Sequence, residues 1–167
     1  MSEAIAVLNT ASDPEAVLLR CCGCARWASE VAAQRPFADD EALFRVADEV
    51  WSRATPADVL QALTHHPRIG SNLDELRKKY ASTASWAAGE QSGAQSADEA
   101  TLIALRDGNV QYEARYGHIF VVCATGRSAQ EMLAILEARM NNTPEDELQI
   151  AAAEQGKITR IRLEKLA

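Results

Sequence analysis

The sequence predicts an all-α fold of about eight or nine helices in one compact helical domain. Three observations carry that prediction: helix-start chemistry recurs along the chain, apolar residues follow it at three- and four-residue spacing, and the one strand-like run has no second strand to pair with.

Asp13-Pro14-Glu15 is the first start signal, with an acceptor side chain, a proline at the first helical position and an acid in the first turn. Asp39-Asp40-Glu41 is the next, and Leu43, Val46, Ala47 and Val50 then recur at helical spacing. Thr55-Pro56-Ala57-Asp58 and Thr143-Pro144-Glu145-Asp146 each place a cap hydroxyl before proline and an acid near the positive end of the helix dipole. Ser96-Ala97-Asp98-Glu99 and Ser128-Ala129-Gln130-Glu131 fit the capping box, so helices are predicted to start at both serines. The stretch from Gly70 to Gln95 is weakly periodic and reads as short helices or a covering loop. Ile119 to Ala124 is an unbroken apolar run between Gly117 and Gly126. Without a partner strand it reads as an extended or helix-terminal segment inside a helical protein. On the last helix Leu148, Ala151, Ala152, Ile158, Arg162 and Leu166 fall on nearly one face, which turns Arg162 inward and leaves Arg160 on the solvated side.

A chain of 167 residues with 47% hydrophobic content fits one domain, residues 1–167, that buries about two-thirds of its unfolded surface. Its 17 basic and 24 acidic residues give a formal charge of -7 with no basic block, which argues against nucleic acid as a partner. No apolar run reaches the ~20 residues of a membrane helix, and the start MSEAIAVLNT is too short and lightly charged for a secretory signal. The last residues, EKLA, are not a peroxisomal address, so a cytoplasmic location without a membrane partner is expected. Cys21, Cys22 and Cys24 crowd together while Cys123 stands alone in the apolar run. The cluster lacks the second CxxC or HxxxH of the usual zinc arrangement, so buried small hydrophobes are expected there and no metal.

Three residues stand out chemically. His66 precedes Pro67 at the end of the helix that starts at Thr55, and proline disfavours helical geometry in the residue before it. Such a side chain can face a cavity, and histidine exchanges protons near neutral pH; a surface or capping histidine is the plainer account. Arg162 cannot shed its charge, so once turned inward it needs a carboxylate from the protein or from a ligand. Glu90 lies one helical turn after Trp86 in Trp86-Ala87-Ala88-Gly89-Glu90-Gln91. A shared face with the tryptophan would partly desolvate it and raise its pKa, whereas an exposed acid is the ordinary case.

These sites occur in a series of ordered blocks: Arg35-Pro36-Phe37 after Trp27-Ala28, then His66-Pro67-Arg68-Ile69-Gly70, then Glu90-Gln91-Ser92-Gly93. Asn109, Tyr112 and Arg115-Tyr116-Gly117 follow, leading into Phe120-Val121-Val122-Cys123-Ala124 and finally Ile158-Thr159-Arg160-Ile161-Arg162-Leu163. In order and separation they resemble, over nearly the whole chain, the 2-oxo-4-hydroxy-4-carboxy-5-ureidoimidazoline (OHCU) decarboxylases of purine catabolism. The resemblance implies an all-helical, usually dimeric enzyme that works without a cofactor and makes (S)-allantoin and CO2. It implies that His66 is the general acid, with Glu90 and Arg162 completing the catalytic set. It further implies substrate contacts from Pro67, from Ala87, Ala88, Gly89, Glu90 and Gln91, and from Phe120, Val121, Val122, Cys123 and Ala124. The family often has serine where this chain has Ala87, so a hydroxyl contact there is lost or replaced. No cofactor is required because the electrons released with CO2 can flow into a ring C=N bond, leaving the protein to orient the substrate and deliver a proton. The competing expectation is a helical interaction module whose cysteine cluster binds metal or responds to oxidation.

Overall fold

Side-chain caps set where most of the helices begin. In a computed structural model that describes residues 2–66, 72–80 and 92–166, nine helices are found among the described residues and no strand. Helix α1 (Glu3–Thr10) is capped by Ser2, α2 (Pro14–Leu19) by Asp13, α3 (Ala25–Ala32) by the Cys24 sulfur and α4 (Asp40–Ser52) by Asp39. Helix α5 (Pro56–Leu63) carries a complete reciprocal box, in which the Asp58 amide donates to Thr55 and the Thr55 amide donates to Asp58. Asn72 caps α6 (Leu73–Lys79), Ser128 caps α8 (Ala129–Arg139), and the Asp146 amide donates to Thr143 Oγ1 at 3.2 Å in the first turn of α9 (Pro144–Glu164). The predicted starts after Asp13, Asp39, Thr55, Ser128 and Thr143 are all present. The start at Ser96 is not, because α7 (Ser92–Tyr116) already runs through it. A capping box is local chemistry, and a run of Ala, Gln, Asp and Glu has enough helix propensity to carry the helix past it.

The described residues group into two compact units: one from Met1–His66, Val121–Cys123 and Leu148–Ala167, the other from Pro67–Phe120 and Ala124–Glu147. In the first unit α1 to α5 and the end of α9 enclose a core of Ile5, Leu8, Leu18, Trp27, Val31, Phe37, Leu43, Ala62 and Leu163. Cys21, Cys22 and Cys24 belong to it at 1% exposure each, as small buried hydrophobes. The Arg35-Pro36-Phe37 block has a clear structural task. Arg35 Nη1 donates to the Leu8 and Ala11 carbonyls, which satisfies the open end of α1, and Asn9 exchanges two hydrogen bonds with the Phe37 backbone. Trp27 donates to the Ala47 carbonyl at 3.1 Å and Trp51 to the Ala152 carbonyl at 2.8 Å, linking α3 to α4 and α4 to α9.

The second unit is built on α7 packed against α6 and α8, with Leu102, Leu105, Met132 and Leu136 between them. Its buried polar centre is Glu147, which accepts from Tyr112, from Arg139 and, at 3.1 Å, from Asn142. Arg139 lies over the Phe120 ring at 4.7 Å, and Phe120 meets Tyr112 edge-on at 5.2 Å. Gly117 and Gly126, both with left-handed φ near 75° (77° and 74°), bracket the apolar run, which is extended without pairing as a strand.

Removing one member of a buried ion pair strands the other charge, at a cost of about 3–5 kcal/mol. Arg139→Met is therefore expected to lower stability to urea by that amount, and adding Glu147→Leu should recover a substantial part of it. Equal loss in the single and double variants would contradict the role given to this pair.

Candidate active site

The first unit buries an unusual strip of α9. Apolar periodicity predicts an inward face of Leu148, Ala151, Ala152, Ile158, Arg162 and Leu166, yet the buried positions of this helix in the first unit are Ala151, Glu154, Gln155, Thr159 and Leu163. Leu148, Ala152, Ile158, Arg162 and Leu166 are only half-buried. The shift has a physical reason: each buried polar side chain has a partner, so burial costs it little. Arg160, on the outer side as expected, is exposed but not idle, with its guanidinium 3.8 Å over the Phe44 ring and an ion pair to Glu164 at 3.1 Å.

His66 is where Pro67 predicts it, just past the end of α5, with its amide donating to the Leu63 carbonyl at 3.3 Å. Its imidazole Nε2 meets Gln155 Oε1. Gln155 Nε2 donates to Thr159 Oγ1 at 3.0 Å, and Thr159 Oγ1 lies 2.9 Å from the Gln155 carbonyl and 3.5 Å from that of Cys21. Arg162 Nη1 reaches the same Cys21 carbonyl at 3.4 Å. Among the described residues no carboxylate pairs with Arg162, and the contact its guanidinium makes there is with the Cys21 carbonyl.

The neighbouring His65 fixes this corner. Its Nδ1 contacts the Gln61 carbonyl at 3.0 Å, and its ring fills the space that a side chain on Gly23 would need: a Cβ there would come within 2.4 Å of Cγ. The turn carrying Cys22 and Cys24 therefore seats directly against the end of α5. Nearby, Glu154 takes the Cys123 amide at 3.2 Å and pairs with Lys157 at 2.6 Å. That amide is thus engaged within the protein.

Burial is the largest influence on His66 and pushes its pKa below the usual histidine range; the Gln155 contact opposes this, and the charges of Arg162 and His65 add to burial. His66 is accordingly neutral at pH 7, so it must take up a proton before it can deliver one. Burial also pushes the Cys21 thiol up to about 11 and that of Cys22 to about 12, which keeps both as thiols and poor metal ligands. Among the described residues, no three His, Cys, Asp or Glu side chains converge as metal ligands would.

His66 and Arg162 are thus brought together in one unit, along with Val121, Val122 and Cys123. Phe120 and Ala124 group with the other unit. Pro67 and the stretch Ala87, Ala88, Gly89, Glu90 and Gln91 lie outside the described residues. Sequence reasoning passed over Gln155, Thr159 and Glu154. The available signal was the four-residue spacing of Gln155 and Thr159 with Ala151 and Leu163 along one helix face, with Glu154 three residues after Ala151.

A neutral, shifted histidine gives stability a definite pH slope. The unfolded chain binds this proton near pH ~6.5 and the folded chain only at lower pH, so stability rises with pH up to that point and its contribution is flat above it. Urea titrations from pH 5 to 8 are expected to lose this component of the slope in His66→Asn. An unchanged slope would mean that His66 is not held neutral by its surroundings.

The chain is similar to several known proteins of one family. A model of the OHCU decarboxylase family matches residues 9–164. The uric acid degradation bifunctional protein TTL of Arabidopsis thaliana is 35% identical over 153 residues, which cover 87% of this chain and 45% of that protein, so the chain spans less than half of that relative. The 2-oxo-4-hydroxy-4-carboxy-5-ureidoimidazoline decarboxylase of Amia calva is 28% identical over 139 residues, covering 83% of this chain and 78% of its own. An OHCU decarboxylase crystallised in the presence of (S)-allantoin superposes with a TM-score of 0.69 at 34% identity, over 89% of this chain and 94% of that one. With a family match along nearly all of its length and these relatives beside it, the chain belongs to the OHCU decarboxylase family.

Proposed function

We propose that this protein decarboxylates 2-oxo-4-hydroxy-4-carboxy-5-ureidoimidazoline to (S)-allantoin, with His66 as its proton-transfer group and Arg162 as the charge that receives the anionic substrate. The observation that carries the reading is the convergence of a half-buried histidine, its ring against Gln155, and an arginine without a carboxylate partner among the described residues, within a chain of this family. The relative crystallised with (S)-allantoin supplies the product class.

The proton balance fits such a site. When the C–C bond to the carboxylate breaks, CO2 leaves, the bonding pair forms a C=C bond to the neighbouring ring carbon, and the C=N π pair moves onto its nitrogen, which takes a proton. The enol left behind gives up its hydroxyl proton as the carbonyl forms and gains one at the neighbouring carbon. One proton is consumed overall, and the face of delivery sets the allantoin enantiomer. A neutral base that becomes an acid after one transfer can serve both halves of this exchange. Burying charge-bearing groups near a guanidinium also holds the substrate in one orientation, which raises the rate by proximity. Glu90, with Pro67, Ala87 to Gln91 and the extended segment from Phe120 to Ala124, completes the proposed contacts. A homodimer in the cytoplasm is the assembly and location that we carry with this reading.

The test generates the unstable substrate in place from urate with urate oxidase and hydroxyisourate hydrolase and follows circular dichroism. Rapid growth of one enantiomer's signal is expected from the parent protein, and His66→Asn should slow it by about 10²-fold or more while leaving the fold intact. Allantoin that forms slowly and as a racemate with the parent protein would sink the proposed activity; turnover within a few-fold of parent in the variant would sink the role of His66. Arg162→Met is expected to raise KM at least about 10-fold, as loss of a charge-assisted contact to a carboxylate does, with a smaller change in kcat.

A further inference from the structure

The reading of His66 as a proton-transfer group leaves open which ring nitrogen meets the substrate, and the hydrogen bonds behind the ring answer that. Thr159 sets the direction of these bonds. Its hydroxyl has one proton, and two backbone carbonyls compete for it, those of Gln155 at 2.9 Å and Cys21 at 3.5 Å. With that proton spent, Oγ1 can only accept from the Gln155 side-chain amide 3.0 Å away, and only the Nε2 end of an amide can donate. The reversed amide would set a third acceptor oxygen around a hydroxyl with a single proton. The Oε1 end of Gln155 is therefore the one turned to His66, where it faces ring Nε2. An amide oxygen accepts and never donates, so that nitrogen carries the hydrogen. Gln155 itself is fully buried, which denies it water as an alternative partner.

We propose that Gln155 is the positioning residue of this site: held by Thr159, it fixes neutral His66 with its hydrogen on Nε2 and presents Nδ1 as the nitrogen that exchanges protons with the substrate. The proposal rests on the proton-transfer role given to His66 above and deepens it. In the reaction Nδ1 accepts the hydroxyl proton as the carbonyl forms, giving an imidazolium with both nitrogens protonated. Nδ1 then returns that proton to the adjacent carbon, and the ring ends in its starting tautomer. The contact to Gln155 is kept throughout, because Nε2 donates in both the neutral and the charged ring. Among the described residues, the charged and titratable groups that face this ring are Arg162 from α9 and His65 from its own segment, with the Cys22 thiol beside the Thr159 hydroxyl.

The experiment needs no substrate for its first half. The chain has three histidines, so protein labelled with 15N in histidine gives few ring signals, and His66→Asn assigns the one that matters. Long-range proton–nitrogen spectra above the titration of His66 are expected to show a protonated Nε2 and a bare Nδ1. A hydrogen on Nδ1 would overturn the proposal while leaving a proton-transfer role for His66 intact; near-parental turnover of His66→Asn would instead remove that role. The second half uses two variants. Gln155→Leu should give mixed tautomers and lower kcat at least about 10-fold with little change in KM. Gln155→Glu should retain the parental tautomer, recover much of the kcat lost in Gln155→Leu, and move the acid limb of the pH profile upward by about one unit or more, since a carboxylate stabilises the imidazolium. Unchanged kcat in Gln155→Leu, or an acid limb in Gln155→Glu that does not move, would overturn it.

Discussion

Polar side chains inside a helical core are tolerable only when each finds a partner, and the first unit is arranged around that demand. Gln155, Thr159 and Glu154 are buried on one face of α9, and the groups that satisfy them come from distant stretches of chain. His66 answers Gln155 from the end of α5, the Cys21 carbonyl lies by Thr159, and the Cys123 amide answers Glu154. An apolar helix face could slide or rotate against its neighbours with modest loss, since dispersion and burial are non-directional. Hydrogen bonds fix distance and direction together, so this face holds its surroundings in register. The Trp51 indole, donating to the Ala152 carbonyl, adds a further fixed point on the same helix.

The second unit meets a similar demand with charge. A carboxylate at 0% exposure would be prohibitive alone, but Glu147 accepts from an arginine, a tyrosine hydroxyl and an asparagine amide. The arginine also covers the Phe120 ring, so the anchoring of the apolar segment at that residue depends on the same cluster. Burial and the contact to Glu147 raise the Tyr112 pKa far above the ordinary phenol range, which leaves its hydroxyl a donor at every pH the folded chain meets.

How far the sequence could be read follows from the range of each interaction. Caps act within three residues, so Asp13, Asp39, Thr55, Ser128 and Thr143 announce their helices from local chemistry alone. The same locality misled at Ser96, because a cap motif says nothing of how far a helix extends before it. The placement of His66 was legible through the proline rule, and the inward lean of Arg162 through helical spacing. The partners of Gln155 and Thr159 were not, being 89 and 138 residues away in the chain, and a periodicity that counts only apolar residues scores both as surface. The cysteines were legible as hydrophobes because a thiol without thiolate character packs as one. The family resemblance supplied what periodicity could not, namely which of several histidines and arginines to connect.

Gly23 carries a consequence for how this corner of the molecule can change. The His65 ring occupies the volume of any side chain at position 23, and the atoms in the way include Cβ, which no rotation of the ring can withdraw. Positions 23 and 65 therefore behave as a single lock with two halves. Because the His65 Cβ is itself in the way, a side chain at 23 needs glycine at 65 or a shift of the backbone there, so a lineage or a mutant library reaches a larger residue at 23 only by way of that change. His66 is the next residue along the chain, and its ring position would register every step of that exchange.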